Sequence, residues 1–229
     1  MREKRFEIAG LAWWKWLCMI LLSYTVWEGF FIEVPRLPIL HETIRNLFFH
    51  VTMWFGMIIL MIASIFFGIR FLRQNDHKDD VRASSCIHTG MLFGIIGLVT
   101  GSLWARFTWG AWWVNDAKLN GAAASMLVYF AYLVLRGSVD DEQKRARIAA
   151  VYSIFSFTLM LVFIMILPRL TDSLHPGNGG NPAFSQYDLD SRMRTVFYPA
   201  VIGWTLLGAW ITEIDIRRRI LHLNMANSR

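Results

Sequence analysis

The stretch Cys86-Ile-His-Thr-Gly-Met-Leu-Phe-Gly-Ile-Ile-Gly-Leu-Val-Thr-Gly-Ser-Leu-Trp-Ala105 contains no charged side chain unless His88 is protonated. About 20 apolar residues in a helix cross the hydrocarbon core of a bilayer, so this segment alone predicts a membrane span. Working outward, six spans are predicted, over Ala12 to Ile32, Phe48 to Ile69, Cys86 to Ala105, Leu119 to Leu135, Ile148 to Leu167 and Thr195 to Ile214. Without water to satisfy backbone polar groups, each must be a helix. The composition agrees: of 229 residues 55% are hydrophobic, 15% aromatic and only 17% charged, whereas soluble domains carry about a quarter charged residues. The expected fold is therefore all-α, a polytopic membrane bundle of six helices forming one domain over residues 1–229.

The net charge of +6 would suggest nucleic acid in a soluble protein. Here its distribution speaks instead to topology. Arg2, Lys4, Arg5, Arg70, Arg73, Lys78, Arg82, Arg136, Lys144, Arg145, Arg147, Arg217, Arg218, Arg219 and Arg229 fall on one side of the six spans. Arg36, Arg45, Arg106, Lys118, Arg169, Arg192 and Arg194 fall on the other. The excess of Lys and Arg marks the cytoplasmic side, so both termini are expected there. Trp13, Trp14, Lys15 and Trp16 form an interfacial belt, and no small-residue cleavage site follows the first apolar run. That run is expected to be an uncleaved span rather than a signal peptide.

Cys18 and Cys86 are far apart and form no C-x-x-C or C-x-x-C-H, which argues against a disulfide framework, a thioredoxin-like site and covalent c-type heme. Gly90, Gly94, Gly97 and Gly101 recur on one helical face, leaving a flat stripe for close helix approach. The small residues Gly121 to Ser125 are its expected counterpart.

The outer side holds the unusual residues. His50 lies at the outer end of the second span, where a neutral imidazole on a rigid element at the edge of an apolar cavity suits a metal or heme iron. His175 precedes Pro176 in a run of glycine and asparagine ending at Pro182, within an outer loop over about 168–194. Proline pushes the residue before it out of the helical region, which would project the ring from a turn. Trp109, Trp112 and Trp113, crowded with Gly110, Arg106, Asp116 and Lys118 in a loop over about 106–120, offer a broad apolar wall at the water interface. His41 is a competing outer ligand, and Glu28 is an intramembrane acid, a functional candidate by default.

The sequence Trp109-Gly-Ala-Trp-Trp113-Val-Asn-Asp116-Ala-Lys-Leu119 resembles the WWD signature W-G-x-x-W-x-W-D-x-R-L-T of heme-handling proteins in cytochrome c maturation. Six spans, and one outer histidine on each side of the motif, are similar to the heme exporter protein C (CcmC) family. The chain departs from the signature at Asn115, Lys118 and Asn120, and has Thr52 where a proline is common after the first histidine. The resemblance implies a bacterial inner-membrane protein that binds heme b non-covalently at its periplasmic face. It further implies His50 and His175 as axial ligands, with Trp109, Trp112, Trp113 and Asp116 in the platform. Arg45, Arg106 and Lys118 are positioned for the propionates. The implied partners are the heme chaperone CcmE, which would receive the heme, the ABC transporter subunits CcmA and CcmB, and the small protein CcmD. With no nucleotide-binding loop or nucleophile arrangement in the sequence, no catalytic turnover is expected of this chain alone. Two other classes are a b-type quinone oxidoreductase, which would bury histidine pairs within its helices, and a transporter, for which polar midplane residues would be expected. A related alternative is a CcsA-type cytochrome c synthetase component.

Overall fold

The computed structural model describes residues 7, 8, 10–175 and 189–227. Arg2, Lys4, Arg5, Arg229 and the turn-rich run from Pro176 to Pro182 lie outside the described residues. The fold is all-α apart from a minimal hairpin, in which Glu7–Ile8 pairs with Leu11–Ala12. The helices are α1 (Trp13–Phe31), a 3-10 helix (His41–Phe48), α2 (His50–Gln74), α3 (His77–Trp109), α4 (Ala117–Gly137), α5 (Glu142–Leu161), α6 (Leu167–Leu170) and α7 (Ser191–Asn227). A π-helical turn, Val162–Ile166, joins α5 to α6.

Five segments among the described residues are long and apolar enough to cross a membrane: His41–Gln74, His77–Trp109, Ala117–Gly137, Glu142–Leu170 and Ser191–Met225. The chain is a multi-pass membrane protein. The first expected span forms α1, but its tryptophans, Lys15 and Glu28 dilute its hydropathy, and it is not among the five. It packs along α7, where the Lys15 ammonium meets the Glu213 carboxylate at 2.9 Å and lies over the rings of Trp14 and Trp210.

The helices outrun the apolar spans because their polar ends have partners. Asp76 caps α3 by accepting from the Lys78 amide. In the first turn, fully buried Asp79 meets Arg70 at 3.1 Å and Arg82 at 2.7 Å, and Asp80 accepts from Arg136 on α4 at 2.7 Å. Thr212 on α7 donates to Thr89 on α3. Burying a charge is costly unless it is paired, and Asp79 and Asp80 each face cations.

Between the ends lies a core rich in methionine (Met53, Met57, Met61, Met91, Met126, Met160). The glycine stripe borders it with a partner different from the one expected. The residues facing the stripe come from α2 in antiparallel register: His50 against Gly101, Trp54 against Gly97, Met57 against Gly94 and Met61 against Gly90. From α4, Met126 reaches Gly94, whereas Gly121 is pressed against the Phe163 carbonyl of the π-helical turn. The α2 side chains are large and need the space of the missing Cβ atoms; the small start of α4 approaches a different backbone.

A second core, with Val34, Leu37, Ile44, Leu47, Phe48, Leu189, Met193 and Val196, clamps the connection between α1 and α2 onto the start of α7. It fixes the first turn of α2 and so the position of His50.

Candidate functional site

One end of the bundle gathers the first turn of α2, the loop between α3 and α4, and the segment after α6. His50, the first residue of α2, places Nδ1 2.9 Å from the Thr100 Oγ1 of α3. Thr100 Oγ1 also reaches the Ile96 carbonyl at 2.9 Å and the Gly97 carbonyl at 3.2 Å, to either of which it can donate its own proton. With Thr100 as acceptor, Nδ1 would carry the imidazole hydrogen and Nε2 would keep its lone pair. Trp104 and Trp54 stand edge-on to the ring, with centroids 5.8 Å and 6.3 Å away. Trp104 is itself fixed, its Nε1 donating to Thr43 Oγ1 at 3.0 Å.

The loop between α3 and α4 begins with Gly110 at φ +82°, the left-handed conformation that ends a helix most readily as glycine. Asp116 then caps α4, its Oδ1 accepting from the amides of Lys118 and Leu119 at 2.9 Å and 3.2 Å. The same buried carboxylate reaches the segment after α6. Oδ2 accepts from Ser173 Oγ at 2.8 Å and from the Leu174 amide at 2.7 Å, and His175 Nδ1 donates to Oδ1 at 2.9 Å. Burial alone would raise this carboxyl's pKa, but the hydrogen bonds from His175, Ser173 and Leu174 and the nearby imidazole outweigh it and hold the group well below its ordinary value of 3.8. Asp116 therefore stays ionised and fixes the His175 tautomer, again leaving the lone pair on Nε2. Trp109 stands edge-on to His175, 5.1 Å between centroids.

Trp112 and Trp113 are 59% and 43% exposed, so their faces remain available. They are nonetheless placed: Ser102 donates to the Trp112 carbonyl at 2.7 Å, and Trp113 Nε1 donates to Asn120 Oδ1 at 3.1 Å. Asn120 in turn donates to Asn115 Oδ1 at 2.8 Å. The two positions at which this chain departs from the WWD signature with asparagine thus bond to each other, and one of them holds the tryptophan.

His50 lies within electrostatic reach of His175 and Lys118, and Lys118 within reach of Arg169 and Asp116. The other two predicted cations have local engagements. Arg45 bonds Glu42 at 2.7 Å and caps α1 through the carbonyls of Ile32 (2.6 Å) and Gly29 (3.2 Å). Arg106 donates to the Gly110 carbonyl. His41 is exposed at the start of the 3-10 helix with φ +43°, while His88 lies towards the opposite end of α3, against Arg219. Glu28 is half-buried near the end of α1. Sequence reasoning missed Thr100, Trp54 and Trp104. Trp54 and Thr100 stand four residues after His50 and one before Gly101, on the faces that the register brings together.

The family model for heme exporter protein C matches residues 3–229. Among curated relatives, the heme exporter protein C of Bradyrhizobium diazoefficiens is 29% identical over 189 residues, 80% of this chain and 71% of the relative. That of Escherichia coli K12 is 30% identical over 138 residues, 58% of this chain. The match spans about half, 52%, of the Escherichia coli protein's length. A cytochrome c biogenesis protein CcsA of Prochlorococcus marinus is 36% identical over 78 residues, 34% of this chain and 25% of the relative. With its family match running nearly end to end, this chain belongs to the heme exporter protein C family.

Proposed function

We propose that this chain is a single six-span domain that holds heme b non-covalently at the periplasmic face of a bacterial inner membrane and delivers it to the chaperone CcmE. The observation that carries the reading is the matched pair of imidazoles, His50 and His175, each tied through Nδ1 to a side-chain oxygen 2.9 Å away. Metal-ligating histidines are commonly oriented through their second nitrogen in this way. The site fits a heme: two nitrogen donors stand on separate elements, and partly exposed indoles flank them. Heme would bring its own iron and equatorial nitrogens.

In this reading His50 and His175 would hold the heme iron, Trp109, Trp112 and Trp113 would pack against the ring, and Asp116 orients His175. Lys118 is the best-placed partner for a propionate, because Arg45 and Arg106 are engaged by carbonyls. α1, 19 residues and about 28 Å long, comes close to the hydrocarbon thickness of about 30 Å. It would supply the sixth span through its buried Lys15–Glu213 pair with α7. The Lys and Arg bias then puts both termini in the cytoplasm and the histidines outside. CcmA, CcmB and CcmD would assemble around it, with ATP use belonging to the transporter subunits and no turnover by this chain.

The test is transfer. Heme-loaded protein in vesicles is mixed with CcmE, and covalent heme on CcmE is read after denaturing electrophoresis. Wild-type protein is expected to donate, and His50→Ala and His175→Ala to lose donation. Equal donation by all three would overturn the delivery reading.

A further inference from the structure

The two imidazoles are held alike in geometry but not in charge. His175 donates to an ionised carboxylate, which is itself fixed by four further donors: the amides of Lys118, Leu119 and Leu174 and the hydroxyl of Ser173. His50 Nδ1 lies 2.9 Å from a neutral hydroxyl that also reaches the Ile96 carbonyl at 2.9 Å. A carboxylate behind an imidazole raises the donor strength of its far nitrogen; a hydroxyl oxygen does so far less.

Resting on the heme reading above, we propose that Asp116 and Thr100 make the two axial ligands unequal: His175 is the anchored ligand, and His50 is the one that yields when heme is passed on. This reverses the order that secondary structure alone would suggest, since His50 sits on a helix and His175 on a loop. The loop is not a loose support, because Asp116 binds it at three points, Ser173, Leu174 and His175, while capping α4. Asp116 and Thr100 are positioning residues, acting on the iron only through the histidines. In the exchange, the bond from iron to His50 Nε2 breaks with its electron pair returning to nitrogen. An incoming donor supplies the replacing pair, and neither the iron oxidation state nor the proton count changes.

The experiment uses the full-length, heme-loaded, dithionite-reduced protein and carbon monoxide as the incoming donor. Its binding is limited by departure of the weaker histidine. Thr100→Val is expected to speed that step by about tenfold, and Asp116→Asn to leave it within about twofold, by the usual size of outer-sphere effects. His50→Gly should retain five-coordinate heme on His175, with an iron–histidine stretching frequency that falls when Asp116→Asn is added. A structural role alone would not move that frequency. Helical content by circular dichroism identifies any variant that has failed to fold, and Thr100→Ser, which restores the acceptor, should return the wild-type rate. Equal acceleration by Asp116→Asn and Thr100→Val, loss of heme from folded His50→Gly, or a frequency indifferent to Asp116 would each overturn the proposal. A wild-type spectrum without two histidine ligands would instead overturn the heme reading beneath it.

Discussion

The His50 ring stands on Gly101: its Cε1 lies 2.9 Å from the point that a Cβ on this glycine would occupy. The ring therefore has its place because α3 has no side chain there. Gly101→Val is expected to displace the imidazole and, as overpacking, to cost about 1–3 kcal/mol of stability. Gly137→Ala, where no atom lies within 4 Å of the added carbon, should be neutral or slightly stabilising. Thermal unfolding in detergent, with heme occupancy alongside, separates the two.

Asp116 has two duties that different substitutions divide. Asn at this position keeps an N-cap acceptor, so Asp116→Asn should preserve the start of α4. Asp116→Ala should lose the cap, at about 0.5–2 kcal/mol, and also the tie to residues 173–175. Limited proteolysis is the direct reading: cleavage near residue 175 should quicken in the Ala variant well beyond its modest loss of global stability.

The same carboxyl sets a pH dependence. Its folded pKa lies below the unfolded value of 3.8, so the unfolded state binds the proton first. The stabilisation is complete above about pH 5 and is lost as the pH falls through the unfolded and then the lower, folded value. The tie should therefore hold at pH 5 and fail only in stronger acid. Asp116→Asn is expected to flatten this part of the thermal-midpoint profile; an unchanged profile would contradict the assignment.

Asn115 and Asn120 should behave as a unit. Either single Ala substitution breaks their mutual bond, at about 0.5–1.5 kcal/mol or less for so exposed a pair. Only Asn120→Ala also frees the Trp113 indole. A double-mutant cycle is expected to be non-additive, with tryptophan fluorescence changing in Asn120→Ala and hardly in Asn115→Ala.

At the other end, removing Arg136 leaves Asp80 partly buried without its principal partner. Breaking such a pair costs about 3–5 kcal/mol, so Arg136→Ala should lower the unfolding temperature more than any substitution at the exposed tryptophans Trp112 and Trp113.

The uncharged run from Cys86 to Ala105 made the membrane fold legible, and the tryptophan loop with His50 before it and His175 after it made the candidate site legible. Helix ends were less so. α3 starts nine residues before Cys86 because Asp79 and Asp80 find cations on other helices, and such distant pairing leaves no local pattern. The glycine stripe was visible, but not its partner, since small residues on α4 and large ones on α2 are both consistent with a groove. Only the antiparallel register of α2 and α3 decides between them. Arg45 illustrates the same limit: its position suggests an anion, while its bonds to Ile32 and Gly29 depend on where the chain turns back on α1.

The most direct measurement of the central claim is the reduced-minus-oxidised optical spectrum of the purified chain beside His50→Ala and His175→Ala. A b-type, two-histidine spectrum is expected in the wild type, altered or lost in both variants. Heme retained unchanged in both would contradict it and place the iron elsewhere.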